Sequence, residues 1–459
     1  MLTIGKSRSN SARVNIETAL KKTKEFDSHN IFISLCQERA LERADLVDSG
    51  KLTGKLAGVP FVVKDNYLTF GGPTTAASNI LKNFQAPLQA TVIERLEAEG
   101  AICIGKANLD AFAHGSSTEN SAFGPTKNAV DPSKVAGGSS GGSAVSVALD
   151  IVPFALGSDT GGSIRQPASF NGVFGVKPTY GMTSRYGVVA MASSTDVMGC
   201  FTNSAEDAEL VLSIMAGRDE RDMTSLPDYF VPSSSEPERL RIGVINDFMG
   251  EGTDPEVVTK VNEYVEKMKK AGHEVGDASL PMAKYSLAIY YIVVPAEITS
   301  NLARYDGVRY GMRAQDVSTI AELYGKSRDE GFMPENKRRI MIGSYVLSSG
   351  YFDAYYQKAQ KARRLLINEF EELFKQFDVL VSPVTPTPAF GLGENTADPI
   401  KMYLSDAMTV GASLAGLPAV SVPAGSTKEG LPVGVQLIAA YKHDALMLNL
   451  AKSMEENDG

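Results

Sequence analysis

The chain of 459 residues carries 45 Lys and Arg against 54 Asp and Glu, a formal net charge of −9, with 43% hydrophobic and 22% charged residues. That balance suits a folded protein with ample core and argues against a dominant nucleic-acid-binding surface of its own. Cys36, Cys103 and Cys200 stand far apart with no CxxC, and His29, His114, His273 and His443 fall in no HExxH or similar spacing, which suits a reducing compartment and predicts no metal site.

The first sixteen residues contain Lys6, Arg8 and Arg13, three serines and no acid before Glu17. They read either as an ordinary exposed basic start or as a flexible, targeting-like segment of organellar type. Residues 17–29 and 34–50 read as helices, 58–65 as a buried strand, and 90–100 followed by 101–108 as helix into strand. The run PSSSEPE at 232–238 reads as a surface connection and marks a weak internal boundary in an otherwise single unit over 1–459. Beyond it, 239–247 reads as a strand, 254–275 and 359–377 as helices, and 378–384, 417–425 and 432–440 as strands, with a last helix from about 443. The most apolar stretch, 285–294, is closed by Pro295 and Glu297, too short for a membrane span. The pattern predicts an α/β fold, a central sheet with helices on both faces.

Two glycine-serine blocks dominate the middle of the chain, GGSSGGSA at 137–144 and GSDTGGSIRQPA at 157–168. Glycine lets backbone approach a ligand, and serine supplies a compact hydroxyl. Neither block holds the lysine of a phosphate-binding GxxxxGK[ST] loop, and no GxGxxG follows a strand; Gly391 and Gly393 lack a third glycine. Core-like segments, VSVAL and DIVPFALG, lie between the blocks, which argues against a flexible linker. Carbonyl chemistry by a serine remains.

A serine nucleophile needs a base. His114 in AFAHGSSTEN has no assigned acid partner, and no GxSxG elbow is present. Lys64 ends the apolar run GVPFVV, where burial would hold it neutral. The alternative is a Lys64 kept charged and inert by neighbouring Asp65.

GVPFVVKDN, GGSSGGSA and GSDTGGSIRQPA, in this order, resemble the amidase signature family of Ser–Ser–Lys hydrolases; 75 residues separate Lys64 from Ser139 and 24 separate Ser139 from Ser163. The resemblance implies Ser163 as the acyl-forming nucleophile, Ser139 as the bridging serine and Lys64 as the base, with a cis peptide at Gly138–Ser139. It implies that the central sheet is a mixed one, and it implies an oxyanion site from the backbone N–H groups of the Thr160, Gly161, Gly162 and Ser163 turn. Asp159 and Arg165 are expected to hold that turn rigid, and Ser140 and Ser143 to be structural hydrogen-bonders.

Further segments, among them HGSSTENSAFGPTKN (114–128), ENKRRIMIGSY (335–345), YLSDAMTV (403–410) and LAGLPAVSVPAG (414–425), resemble one branch, the A subunits of glutamyl-tRNA(Gln) amidotransferases. That branch implies glutamine as substrate, with Arg339 clamping its carboxylate, Asp406 its ammonium, and Tyr290 or Tyr291 lining the pocket. Arg338 is the rival for the first role; a solvated helix face and a helix cap are the bland alternatives for the arginines and Asp406. The branch also implies a tRNA-binding B-type partner, a small third subunit, tRNA met only through the complex, and no cofactor in this chain, ATP and Mg²⁺ belonging to the partner. The competing functions are a free-standing amidase and an inert scaffold within such a complex. The basic start, the unusual NAVDPSKVAGG and the short C-terminal helix lean toward a mitochondrial matrix protein over a bacterial cytoplasmic one.

Overall fold

The computed structural model describes residues 1–233 and 239–456. Among them, eleven strands join one mixed sheet: β1 (Phe32–Leu35), β2 (Pro60–Lys64), β3 (Ile102–Ala107), β4 (Phe154–Asp159), β5 (Phe174–Lys177), β6 (Val197–Thr202), β7 (Arg241–Ile245), β8 (Glu274–Ala278), β9 (Val379–Pro383), β10 (Ala419–Ser426) and β11 (Pro432–Ala439). The spatial order is β1-β3-β2-β4-β6-β5-β10-β11-β9-β7-β8. Strands from either side of 232–238 therefore share one sheet, joined where β5 pairs antiparallel with β10. The connection expected at 232–238 falls mostly on 234–238, outside the described residues.

Alternation along β2 shows why helices cover both faces. Phe61 and Val63 enter a cluster with Val92 and Leu96 of the helix Thr91–Ala98. Val62 enters another, with Ala144 and Val145 of the helix Gly141–Ala148. Side chains two apart on a strand share a face, so Lys64 has the orientation of Val62 and looks toward the second layer. β2 and β4 are parallel neighbours, with Val63 opposite Leu156. Their carboxyl ends, Lys64 and Asp159, thus emerge at the same sheet edge, where ligands of open α/β sheets bind.

The α/β expectation holds, and several local expectations change. Residues 34–35 belong to β1 rather than to a helix, because Ser34 and Leu35 pair with β3 and Cys36 N–H donates to Ile104 O at 2.9 Å; tertiary pairing overrides helix propensity there. The helix expected over 254–275 ends at Lys270, where Gly272 at φ +94° closes it, and 274–278 become β8. The stretch 285–294 lies in a helix, Ala283–Leu302, that continues through Pro295. Among the described residues, no helix is long and apolar enough to cross a membrane.

The flexible start is corrected. Residues 4–8 and 12–25 are helical, Ile4, Ala12, Ile16 and Ala19 are buried, and Ile4 N–H donates to Asp207 Oδ2 at 3.0 Å. Apolar spacing at 12, 16 and 19 on one helix face explains the packing.

Candidate active site

Lys64 lies at the end of β2 with none of its surface exposed. Its Nζ donates to Ser139 Oγ at 2.7 Å, to Ser158 Oγ at 3.0 Å and to Ser158 O at 3.3 Å. Asp65 does not hold it. Alternation turns Asp65 the other way, where it pairs with Lys106 at 2.7 Å, both fully buried, and accepts from Thr75. Burial pulls Lys64 from 10.5 down to about 7, against the weaker opposing pull of Asp110, Asp159 and Asp196. A large fraction is therefore an unprotonated amine near neutrality.

Ser139 reaches this amine from the loop before the helix Gly141–Ala148. The Gly138–Ser139 peptide is cis. Gly138 N–H donates to Gln166 Oε1 at 2.8 Å, and a Cβ at 138 would strike the Asp110 carboxylate and lie 2.6 Å from Ser117 N, so only glycine fits there. Ser140 Oγ donates to Ser158 O at 3.2 Å and Ser143 Oγ to Leu156 O at 2.8 Å, fastening the helix to β4. Ser163 sits in the turn after β4 with 9% of its surface exposed. Ser140 N–H donates to Ser163 O at 3.2 Å, which ties the two glycine-serine blocks through main chain. Among the described residues, no direct hydrogen bond joins Ser139 Oγ to Ser163 Oγ.

The turn is built around Asp159. Its carboxylate accepts from Gly162 N–H at 2.8 Å and Ile164 N–H at 3.1 Å, and pairs with Arg165 at 2.9 Å, both side chains fully buried. Arg165 in turn donates to Gln436 Oε1 at 2.6 Å and Thr409 O at 2.9 Å. Burial would raise the Asp159 carboxyl, but the Arg165 guanidinium holds it below its ordinary range. Gly162, expected as an oxyanion donor, is corrected: its N–H is already committed to Asp159. The N–H groups of Thr160, Gly161 and Ser163 have no acceptor among the described residues. Gly162 serves instead through its φ of +145° and its close approach to Thr409.

The residues expected to hold the amino-acid end of a substrate come together beside this turn. Asp406, buried, accepts from Ser116 Oγ at 2.8 and 2.9 Å and from Tyr291 OH at 3.2 Å. Burial lifts its carboxyl to about 7, against the Ser116 hydrogen bond and the Arg339 charge. Arg339, 2% exposed, donates from Nε to Glu335 Oε1 at 2.8 Å, and its guanidinium lies 5.1 Å from the Tyr291 ring and 5.5 Å from the Tyr403 ring. Tyr291 and Tyr403 stack at 3.9 Å. Tyr290 packs on the turn that carries Ser163, since a Cβ on Gly161 would lie 2.6 Å from its ring. Arg338 pairs with Glu335 from a side chain that is 43% exposed.

A cavity of about 270 Å³ opens here, lined by Ser116, Ser117, Glu335, Arg338, Arg339 and Tyr403, among others. The lining includes both arginines but neither Tyr290 nor Tyr291, which were expected on it, nor Asp406, and it stops short of Lys64, Ser139 and Ser163. His114 makes no hydrogen bond to Ser139 or Ser163 among the described residues: it is fully buried, its Nδ1 lies 2.6 Å from Asn336 Nδ2, and burial and then the Arg339 charge push it well below its usual range. Ser116, Glu335, Tyr403 and Ser158 were not singled out by sequence. For Glu335 a signal existed, its i,i+4 spacing to Arg339 on a helix; for Ser116 and Ser158 only the fold supplies the neighbour. Among the described residues, no group of three His, Cys, Asp or Glu side chains is placed to hold a metal ion.

The family model for amidases matches residues 15–448. The glutamyl-tRNA(Gln) amidotransferase A subunit of Koribacter versatilis is 50% identical over 448 residues, 96% of this chain and 93% of that protein. The corresponding A subunit of Cyanothece sp. is 49% identical over 459 residues, covering 98% and 95%. The crystal structure of the glutamyl-tRNA(Gln) amidotransferase A subunit from Thermotoga maritima superposes with a TM-score of 0.84 at 38% identity, covering 99% of this chain and 94% of that one. With a family match over nearly its whole length and the serine, lysine and glycine pattern seated at one sheet edge, the chain belongs to the amidase signature family.

Proposed function

We propose that this chain is the glutamine-hydrolysing subunit of a glutamyl-tRNA(Gln) amidotransferase, with Ser163 as nucleophile, Ser139 as proton bridge and Lys64 as base. The observation that carries the chemistry is the fully buried Lys64 amine, 2.7 Å from Ser139 Oγ and poised near neutrality. Unprotonated Lys64 accepts the Ser139 proton as Ser139 accepts that of Ser163. Ser163 Oγ, swung toward Ser139, attacks the side-chain carbonyl of glutamine. The charge on that oxygen falls to the N–H groups of Thr160, Gly161 and Ser163, held at fixed positions by the Asp159–Arg165 pair. The relay returns the proton to the leaving nitrogen. Ammonia departs, and water, deprotonated by the same relay, cleaves the acyl-serine to glutamate.

Arg339 and Asp406 supply a cation and an anion for the two charged ends of an α-amino acid, and Tyr291 and Ser116 orient the anion. The buried member of the arginine pair is Arg339, which favours it over Arg338 as the carboxylate clamp. A free-standing amidase for simple amides has no use for such a pair, and an inert scaffold no use for a buried lysine against a serine. In this reading a B-type partner and a small third subunit complete the enzyme. Glu-tRNA(Gln), ATP and Mg²⁺ belong to the partner, in keeping with the net charge of −9 on this chain. We take the bacterial cytoplasm as its compartment, supported by the bacterial relatives. The mitochondrial matrix is the alternative reading.

The test uses the reconstituted complex. Ser163→Ala should abolish ammonia release from glutamine while added ammonium salt still supports amidation of Glu-tRNA(Gln). Retained glutaminase activity removes the nucleophile, and loss of ammonium-supported amidation removes the division of labour.

A further inference from the structure

Between the nucleophile and the cavity runs a loop, 110–120, that takes no direct part in the relay. His114 and Asn336 join it to the helix Pro334–Val346, which carries Glu335 and Arg339. Asn336 is fully buried and its orientation is set by three bonds. Oδ1 accepts from Met333 N–H at 3.2 Å, while Nδ2 donates to Ala111 O at 2.7 Å and faces His114 Nδ1 at 2.6 Å. With Nδ2 a donor, His114 Nδ1 must accept, so the ring proton sits on Nε2, which has no partner among the described residues. A protonated His114 would set two donors against each other, and the adjoining Arg339 charge opposes that form.

Two residues after His114, the same loop presents Ser116, whose hydroxyl donates to Asp406 and whose carbonyl accepts from Gln166 Nε2 at 2.7 Å. Between them, Gly115 passes against the Asp110 carboxylate, where a Cβ would strike it and only glycine fits. Within three residues the loop thus grips the helix of Arg339 at His114 and Asp406 at Ser116.

The geometry points to His114 and Asn336 as a positioning pair that fixes the separation of Arg339 and Asp406, and so how tightly the site grips the α-carboxylate and α-ammonium of its amino acid. The inference rests on the glutamine reading. His114 acts through the clamp and touches no reacting atom, so its loss should appear in KM and not in kcat.

The test compares His114→Asn with His114→Gln in the reconstituted complex. Asparagine places its Oδ1 at the same number of bonds from Cα as Nδ1 and can accept from Asn336. Glutamine places its polar atoms where Nε2 lies and cannot do so from that position. We expect His114→Gln to raise KM for glutamine about tenfold or more with kcat within about threefold, and His114→Asn to restore KM to within about threefold of wild type. Equal KM values for the two variants, or kcat falling in parallel with 1/KM, overturn the pairing. Arg339→Met and Asp406→Asn are measured alongside. If they too leave KM unchanged, the glutamine site itself is misplaced and the pairing falls with it; if they raise KM while His114→Gln does not, the pairing alone is wrong.

Discussion

Replacing Lys64 by methionine removes the buried amine and keeps an unbranched side chain of similar reach. Burial carries the Lys64 amine from 10.5 in the unfolded chain to about 7 in the native one. Between those values the unfolded chain holds a proton that the native chain has released. Wild-type stability must therefore rise with pH from about 7 to about 10.5 and be flat, with respect to this group, below 7. At about 1.4 kcal/mol per pH unit, the rise from pH 7 to pH 10 attributable to Lys64 is roughly 3–4 kcal/mol. Lys64 has no exposed surface, so solvent screening does not reduce that figure. The variant also loses the bonds to Ser139 and Ser158, so absolute stability at one pH is a poor readout, whereas the difference in pH dependence isolates the amine. Lys177, a second buried lysine drawn down to about 7, stays in both proteins and cancels. The assay is urea unfolding followed by far-UV circular dichroism at pH 7 to 10, since the chain has no tryptophan. Identical pH dependence in wild type and Lys64→Met would refute a lysine held unprotonated by burial.

The pH profile of glutamine hydrolysis should fall on the acid side with two groups near 7, Lys64 needing to be neutral and Asp406 ionised. On a logarithmic plot kcat/KM should approach a slope of about two below pH 6 in wild type and about one in Asp406→Asn; a slope of one in both removes one of the two roles. Arg339→Met should raise KM for glutamine by about 100-fold and Arg338→Met by less than about threefold, since only the first removes a desolvated clamp; the reverse order in initial-rate kinetics would exchange their roles. Asp159→Asn leaves Arg165 buried without its counter-ion and should destabilise the fold by about 3–5 kcal/mol while lowering kcat; a thermal midpoint equal to wild type would show the pair to be dispensable.

Among the strands that seat the chemistry, β4 read only as core-like sequence between the glycine-serine blocks, while β2 and β3 were legible as short apolar runs bounded by helical periodicity. β1 and β8 were not, one being a short half-buried edge strand and the other carrying Gly276 and Asp277, so both exist by pairing with a neighbour. The glycine-serine blocks announced themselves by composition, whereas Lys64 stood out only by its place at the end of an apolar run together with the family resemblance. What sequence could not give was direction. Only the fold sends Asp65 to Lys106, aims Gly162 N–H at Asp159, and brings Ser116 to Asp406 across 290 positions. The basic start misled for the same reason, since charge and serine content say nothing about the buried stripe of Ile4, Ala12, Ile16 and Ala19.

Rapid acid quench of the complex during glutamine turnover, followed by peptide mass spectrometry, addresses the relay most directly. The relay predicts a γ-glutamyl ester on the peptide carrying Ser163, lost in Ser163→Ala and failing to accumulate in Lys64→Met. An adduct on Ser139, or an undiminished adduct without Lys64, would contradict it.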